Sequence, residues 1–200
     1  FYLSDVAGHG ASSAFVTIWL KYLVRNLMRD TSVFKSSTEE YVFTQGPNLL
    51  LQAINRELIA TRLNNHLTSF QGTVDIVNHK LSYSVGGHLP LPILLTDDGA
   101  KYLAGNGKPI GIFKDVEWKV YEIDLPKVFT LLVFSDGVLE IIPGDDLEAK
   151  EKQLLQRVSQ MKNEMKKSCV TIESVCKTLN IDKSDDNPDD IAVLMVKRGH

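Results

Sequence analysis

The chain predicts an α+β layered domain built on antiparallel sheets. Strand-like alternation fills its middle and helical periodicity lies near both ends, a segregation that separates this class from alternating β-α units. Neither G-x-x-x-x-G-K-[ST] nor a G-x-G-x-x-G after a strand occurs, so a doubly wound nucleotide fold has no support. With 200 residues, 44% of them hydrophobic and 24% charged, the chain fits one domain or at most two small ones, with a core that needs no staples.

Residues 1–5 (Phe-Tyr-Leu-Ser-Asp) read as the end of a strand, Gly8-His9-Gly10 as a turn, and Ala11 to about Met28 as a helix. Lys21, Arg25 and Arg29 are four apart, which predicts one solvent-facing stripe on that helix. Residues 30–46 are polar and irregular. Pro47 opens a second helix with Leu51, Ile54, Leu58 and Ile59 on its inner face. Val74 and Ile76 then alternate with Asp75 and Val77, Asn78-His79 makes a turn, and Leu81, Tyr83 and Val85 alternate with serines to complete a hairpin. Pro92 to Leu95 is a short strand stopped by Asp97-Asp98-Gly99. Tyr121, Ile123 and Leu125 alternate with acidic residues. The apolar run from Val128 to Phe134 predicts a strand buried on both faces. A charged helix is expected from Asp145 to about Lys166, a second from about Cys169 to Leu179, and a final buried strand over Ile191–Val196.

Composition excludes several classes. Lys plus Arg is 22 and Asp plus Glu is 25, a net charge of −3, which gives no support to nucleic-acid binding. No apolar run approaches a membrane span, and nothing resembles a signal peptide. Cys169 and Cys176 fall on the apolar stripe Cys169-Ile172-Cys176-Leu179; they are read as small buried hydrophobes, the alternative being a redox or metal pair. A cytoplasmic location is expected. No initiator Met precedes Phe1, so residues 1–200 are expected to be a single domain, N-terminally incomplete, from a longer protein.

Three strands carry aspartate at an end. The first ends on Asp5, the apolar run leads into Ser135-Asp136-Gly137, and the last follows Asp189-Asp190. If the last strand is antiparallel to the other two, these carboxylates gather at one sheet edge. Crowded carboxylates repel one another and lose solvation, and no Lys or Arg lies beside them in sequence. A hard divalent cation such as Mg²⁺ or Mn²⁺ would relieve them. The alternative is three unrelated strand-end aspartates, common in turns.

The local motifs are Asp5-Val6-Ala7-Gly8-His9-Gly10, Val85-Gly86-Gly87-His88-Leu89-Pro90, Gly107-Lys108-Pro109-Ile110-Gly111, Phe134-Ser135-Asp136-Gly137-Val138-Leu139-Glu140 and Asp189-Asp190-Ile191. In that order and spacing they resemble the metal-dependent protein phosphatase (protein phosphatase 2C-like) superfamily, and most closely its bacterial sporulation stage II protein E branch. The resemblance implies two packed antiparallel β-sheets flanked by helices, a protein phosphatase 2C-like β-sandwich. It implies two Mn²⁺ or Mg²⁺ ions: Asp5 would bridge them, the Val6 carbonyl would complete one shell, and Asp136 and Asp189 would hold the second ion. Asp190 would support these ligands from behind. His9 would orient a water or protonate the leaving group, or else brace the turn by packing. His88 and Glu140 would be structural, Glu140 bracing the turn after Asp136.

The activity implied is hydrolysis of phosphoserine or phosphothreonine in protein by a metal-activated water, with no phosphoenzyme. The chain would be the output domain of a bacterial signalling protein. Its substrate would be a regulator such as an anti-sigma factor antagonist, and an upstream receiver or sensor domain would control it. A further aspartate that relatives carry upstream of Asp5 falls before Phe1, so the metal site here is expected to be incomplete. Leu89 and Ala192 stand where relatives commonly have Asn and Thr. The competing reading is a degenerate phosphatase fold acting as a non-catalytic partner-binding module.

Overall fold

The computed structural model describes residues 1–29, 46–162, 170–181 and 189–199. The side chain of Arg29, the irregular stretch up to residue 45, Cys169 and the acidic loop 182–188 lie outside the described residues. The chain divides into two compact units, Phe1–His88 with Gly105–Asp124, and Leu89–Ala104 with Leu125–His200. Each carries one four-stranded antiparallel sheet and its own helices, so the α+β class holds.

In the first unit the sheet order is β1-β2-β3-β6, with β1 Tyr2–Val6, β2 Leu67–Asp75, β3 Lys80–Gly86 and β6 Tyr121–Asp124. Helices α1 (Ala11–Arg29) and α2 (Gly46–Thr61) accompany it. Val16, Leu20 and Val24 recur at helical spacing on α1 and pack with Leu50, Leu51, Ile54 and Leu58 of α2, and with Leu67, Ile110 and Trp118. Lys21 and Arg25 are exposed as expected, but so are Phe15, Ile18 and Tyr22, which the stripe reading had not separated from the core.

The first hairpin corrects the sequence reading. Strand β2 starts at Leu67, not near Val74, and Ile76 and Val77 sit in the turn, 74% and 80% exposed. Asp75 ends the strand. Its Oδ1 accepts from the N–H groups of Val77 and Asn78 at 2.9 Å each, and its Oδ2 accepts from Asn78 Nδ2 at 2.7 Å. Such a side chain offers the backbone an alternative to the ladder, and His79 at φ 56 completes the reversal.

The segment after Gly107 is tied down by one side chain that pattern reading missed. Asn55, 3% exposed on α2, donates through Nδ2 to Phe113 O at 2.9 Å and accepts from Gly111 N at 2.7 Å. Ile110 beside it bridges to Leu67 through bonds of 3.0 and 2.9 Å. The structural reading of His88 agrees with its burial, at 1% exposure, against the ring of Phe70.

The second unit has sheet order β5-β4-β7-β8, with β4 Ile93–Thr96, β5 Gly99–Tyr102, β7 Phe129–Phe134 and β8 Val193–Arg198. All six residues of β7 are buried, as the apolar run predicts, although the sheet is antiparallel. The turn Asp97-Asp98-Gly99 does not only stop β4: it returns the chain as β5, a strand absent from the sequence reading. Helices α3 (Gly137–Ile141), α4 (Leu147–Gln160) and α5 (Ile172–Leu179) complete the unit. Their apolar residues, Val138, Leu154, Val158, Val175 and Leu179 among them, form a core with Ile93, Leu95, Leu132 and Phe134.

Helix α4 begins at Leu147 because the Asp146 side chain accepts from Ala149 N at 2.8 Å. The last helix begins at Ile172 and not at Cys169, because Thr171 and Ser174 form a reciprocal cap. Cys176 is a free, half-buried thiol. The Glu140 carboxylate lies 3.9 Å from Lys150 Nζ of α4.

Two outcomes follow from these side-chain locks. Replacing Asn55 with Ala removes two hydrogen bonds from a buried side chain and leaves the part-buried Gly111 N–H and Phe113 carbonyl without it. Asn55→Ala should therefore lose about 1–3 kcal/mol of stability in urea unfolding. The second concerns Asp75, whose carboxyl is held below its ordinary 3.8, first by the Asn78 backbone N–H and then by the Asn78 amide. A depressed folded value stabilises above the unfolded value and loses that contribution as pH falls through the folded one. The Tm gap between wild type and Asp75→Ala should therefore be present at pH 6 and shrink below pH ~3. A gap that widens in acid would contradict this.

Candidate metal centre

Asp5 and Val6 close β1, where they pair in register with Thr68 and Leu67. Both are half-buried. The chain leaves the strand at once: Ala7 N donates to His66 O at 3.0 Å, and Gly8 and Gly10 adopt φ 94 and 86. Those left-handed conformations suit glycine and explain how β1 passes into α1 in four residues. His9, between the two glycines, is exposed.

Asp136, Asp189 and Asp190 belong to the second unit, and all three are exposed. Antiparallel pairing of β7 with β8, from Phe129↔Arg198 to Phe134↔Val193, brings the end of one strand beside the start of the other. Asp136 stands at the N-terminus of α3, yet its side chain makes no capping bond to the helix. Asp189 Oδ1 accepts from Asp190 N at 2.8 Å. A Cβ on Gly137 would fall on the Asp190 carbonyl oxygen and lie 3.0 Å from its carbon, so this glycine is what lets the 189–190 backbone pass so close to α3.

The expectation of one sheet edge carrying all the carboxylates is corrected. Strand β1 pairs with β2 in the first unit's sheet, whereas β7 and β8 are neighbours in the other. Within one unit the structure brings together only Asp136 and the Asp189–Asp190 segment. Among the described residues, no three His, Cys, Asp or Glu side chains form a group that could hold a metal ion. The donor set itself fits a hard divalent cation: it is all oxygen, solvent-accessible, and in Asp136 unspent on capping.

The two-sheet α+β architecture is that of PP2C-type domains. The structure matches the SiaA-PP2C domain of Pseudomonas aeruginosa with a TM-score of 0.67 at 16% identity, covering 98% of this chain and 74% of that one. It also matches the RsbU and RsbW domains of a Mycobacterium tuberculosis protein with a TM-score of 0.73 at 22% identity, covering 99% of this chain and 51% of that one. The family model for Stage II sporulation protein E (SpoIIE) matches residues 1–199, and the chain belongs to that family. It is 27% identical over 144 residues to the phosphoserine phosphatase RsbP of Bacillus subtilis (strain 168). That alignment covers 68% of this chain but only 32% of RsbP, so the chain spans well under half the length of this relative.

Gly137 supplies a test of this geometry. Alanine in a helix is ordinarily more stable than glycine by up to ~1 kcal/mol. Here the added methyl meets backbone, and overpacking of that kind costs about 1–3 kcal/mol. Gly137→Ala should therefore be destabilising in urea unfolding. A stabilised variant would mean that the Asp190 backbone does not lie against α3.

Proposed function

We propose that residues 1–200 form a metal-dependent protein serine/threonine phosphatase domain that hydrolyses phosphoserine or phosphothreonine in a protein substrate. The observation that carries this reading is the juxtaposition of Asp136 with Asp189–Asp190 at the meeting ends of β7 and β8, in a chain of the SpoIIE family. Membership of a family with a phosphoserine phosphatase relative supports the reaction class.

Asp136 and Asp189 are assigned as carboxylate ligands for Mn²⁺ or Mg²⁺, and Asp5 and the Val6 carbonyl are assigned as ligands on the motif resemblance. Asp190 holds the Asp189 carboxylate through its backbone N–H. When bound, the cations would supply a water of lowered pKa as nucleophile and offset charge on the phosphoryl oxygens. His9 is exposed, which suits a ring that orients a water or protonates the leaving oxygen better than one that braces a turn by packing.

In this reading the chain is the output domain of a bacterial signalling protein, governed by an upstream receiver or sensor domain. Its substrate is a phosphorylated regulator such as an anti-sigma factor antagonist. The free thiol of Cys176 supports a cytoplasmic setting. Among the described residues no helix is long and apolar enough to cross a membrane.

The test is phosphate release from a phosphoserine protein by the full-length protein in Mn²⁺ buffer. Asp136→Asn should fold normally, because the site is exposed, and lose at least ~10²-fold in kcat, as expected for a key electrostatic group. Chelation should abolish turnover. Activity that survives both treatments would sink the metal mechanism. A wild-type protein that is folded and inert and binds no Mn²⁺ would select the partner-binding alternative.

A further inference from the structure

We propose that Ser135 is a positioning residue: its hydroxyl fixes the Asp189–Asp190 segment against Asp136 and so sets the affinity of the second unit for a divalent cation. The inference rests on the metal reading above and adds to it a residue that is not itself a ligand.

Ser135 directly follows β7 and is 5% exposed. Its backbone N–H donates to Ala192 O at 3.0 Å, which extends the β7–β8 ladder one residue beyond Phe134↔Val193. In an antiparallel ladder the reciprocal bond would run from Ala192 N to the Ser135 carbonyl. It does not. Ala192 N donates to Ser135 Oγ at 2.8 Å, and the Ser135 carbonyl accepts from Val138 N at 3.2 Å in the first turn of α3. The hydroxyl hydrogen is directed to Asp190 O at 3.1 Å.

The side chain therefore stands in for its own carbonyl. This substitution lets the chain leave the sheet and begin a helix one residue before Gly137 without stranding the Ala192 N–H. It also ties Ser135 to Asp190, 55 positions away in sequence. Asp136 leaves this junction in one direction, and Asp189 enters it from the other. The single hydroxyl proton is spent on Asp190 O, so Ser135 is not a nucleophile in this arrangement.

Alanine at 135 keeps the strand and the helix but removes both hydroxyl bonds. The 189–190 segment then keeps its contact across Gly137 and the backbone bond from Ser135 N to Ala192 O but loses its side-chain tie. Hard cations bind oxygens within narrow distance limits, so a loosened carboxylate pair binds more weakly. Groups that orient ligands from behind typically change metal affinity 10–100-fold when removed.

The experiment is calorimetric titration of the full-length protein with Mn²⁺, alongside Tm measured in chelator. Ser135→Ala should raise the Kd for Mn²⁺ about tenfold or more. Ser135→Thr, which keeps the hydroxyl, should stay near wild type. Turnover of Ser135→Ala should recover substantially as Mn²⁺ is raised, which a purely structural lesion would not allow. Should Ser135→Ala not fold, Ser135→Cys takes its place: it keeps the volume with a much weaker donor and should show the same loss of affinity. Wild-type Mn²⁺ affinity in either variant, with only Tm lowered, would overturn the positioning role and leave the metal reading standing. Absence of Mn²⁺ binding in the wild type would overturn both.

Discussion

Everything in the second unit that bears on chemistry depends on the register between β7 and β8. Six pairs, Phe129↔Arg198 to Phe134↔Val193, fix where one strand stops and the other starts. Because successive side chains point to opposite faces, a slip of one residue would exchange the side chains that β7 presents to its two buried faces. All six residues of β7 are buried, so every one of them would have to repack. The acidic positions inherit this precision although they contribute nothing to it, being exposed themselves.

The first unit solves a related problem by different means. Its sheet carries buried polar residues, and these are hydrogen-bonded. Gln71, 2% exposed, donates to Ser69 Oγ at 3.1 Å, and the Ser69 and Ser4 hydroxyls hydrogen-bond at 2.7 Å across the β1–β2 pair. Leaving such groups unpaired would cost about 1–3 kcal/mol each. The network thus joins β1, which carries Asp5, to β2 by side-chain bonds as well as by the ladder. Asn55 does the same for the segment around Gly111.

These polar locks also explain what the sequence showed and what it hid. The apolar run of β7 and the helical spacing on α1 and α2 were legible because burial there follows hydrophobicity. The first two-thirds of β2 were not, because Ser69 and Gln71 are buried where pattern reading assigns polar residues to solvent. Conversely Ile76 and Val77 look like strand core and are exposed, since the Asp75 side chain ends the ladder before them. Strand β5, only Gly-Ala-Lys-Tyr, has too few residues to show alternation. The cap at Thr171 uses Ser174 where Glu or Gln is the usual signal, so the start of α5 was placed too early. The motifs made Asp136 and Asp189 visible as a pair, but assigning Asp5 to the same sheet failed, because strand partnership depends on contacts distant in sequence.

Exposure of the acidic residues separates folding from metal chemistry. A carboxylate in solvent pays little desolvation, and salt screens its interactions chiefly beyond about 8–10 Å. The core of the second unit, with Ile93, Leu132, Phe134, Leu154 and Val175, is built of apolar side chains and includes none of the acidic residues. What a cation requires is fixed spacing between carboxylates that would otherwise drift apart. That spacing comes from neutral groups behind them: a hydroxyl, a glycine without a Cβ, and the backbone N–H of Asp190. Rigidity is thus supplied by residues that carry no charge, while the charged residues are left free to meet a ligand.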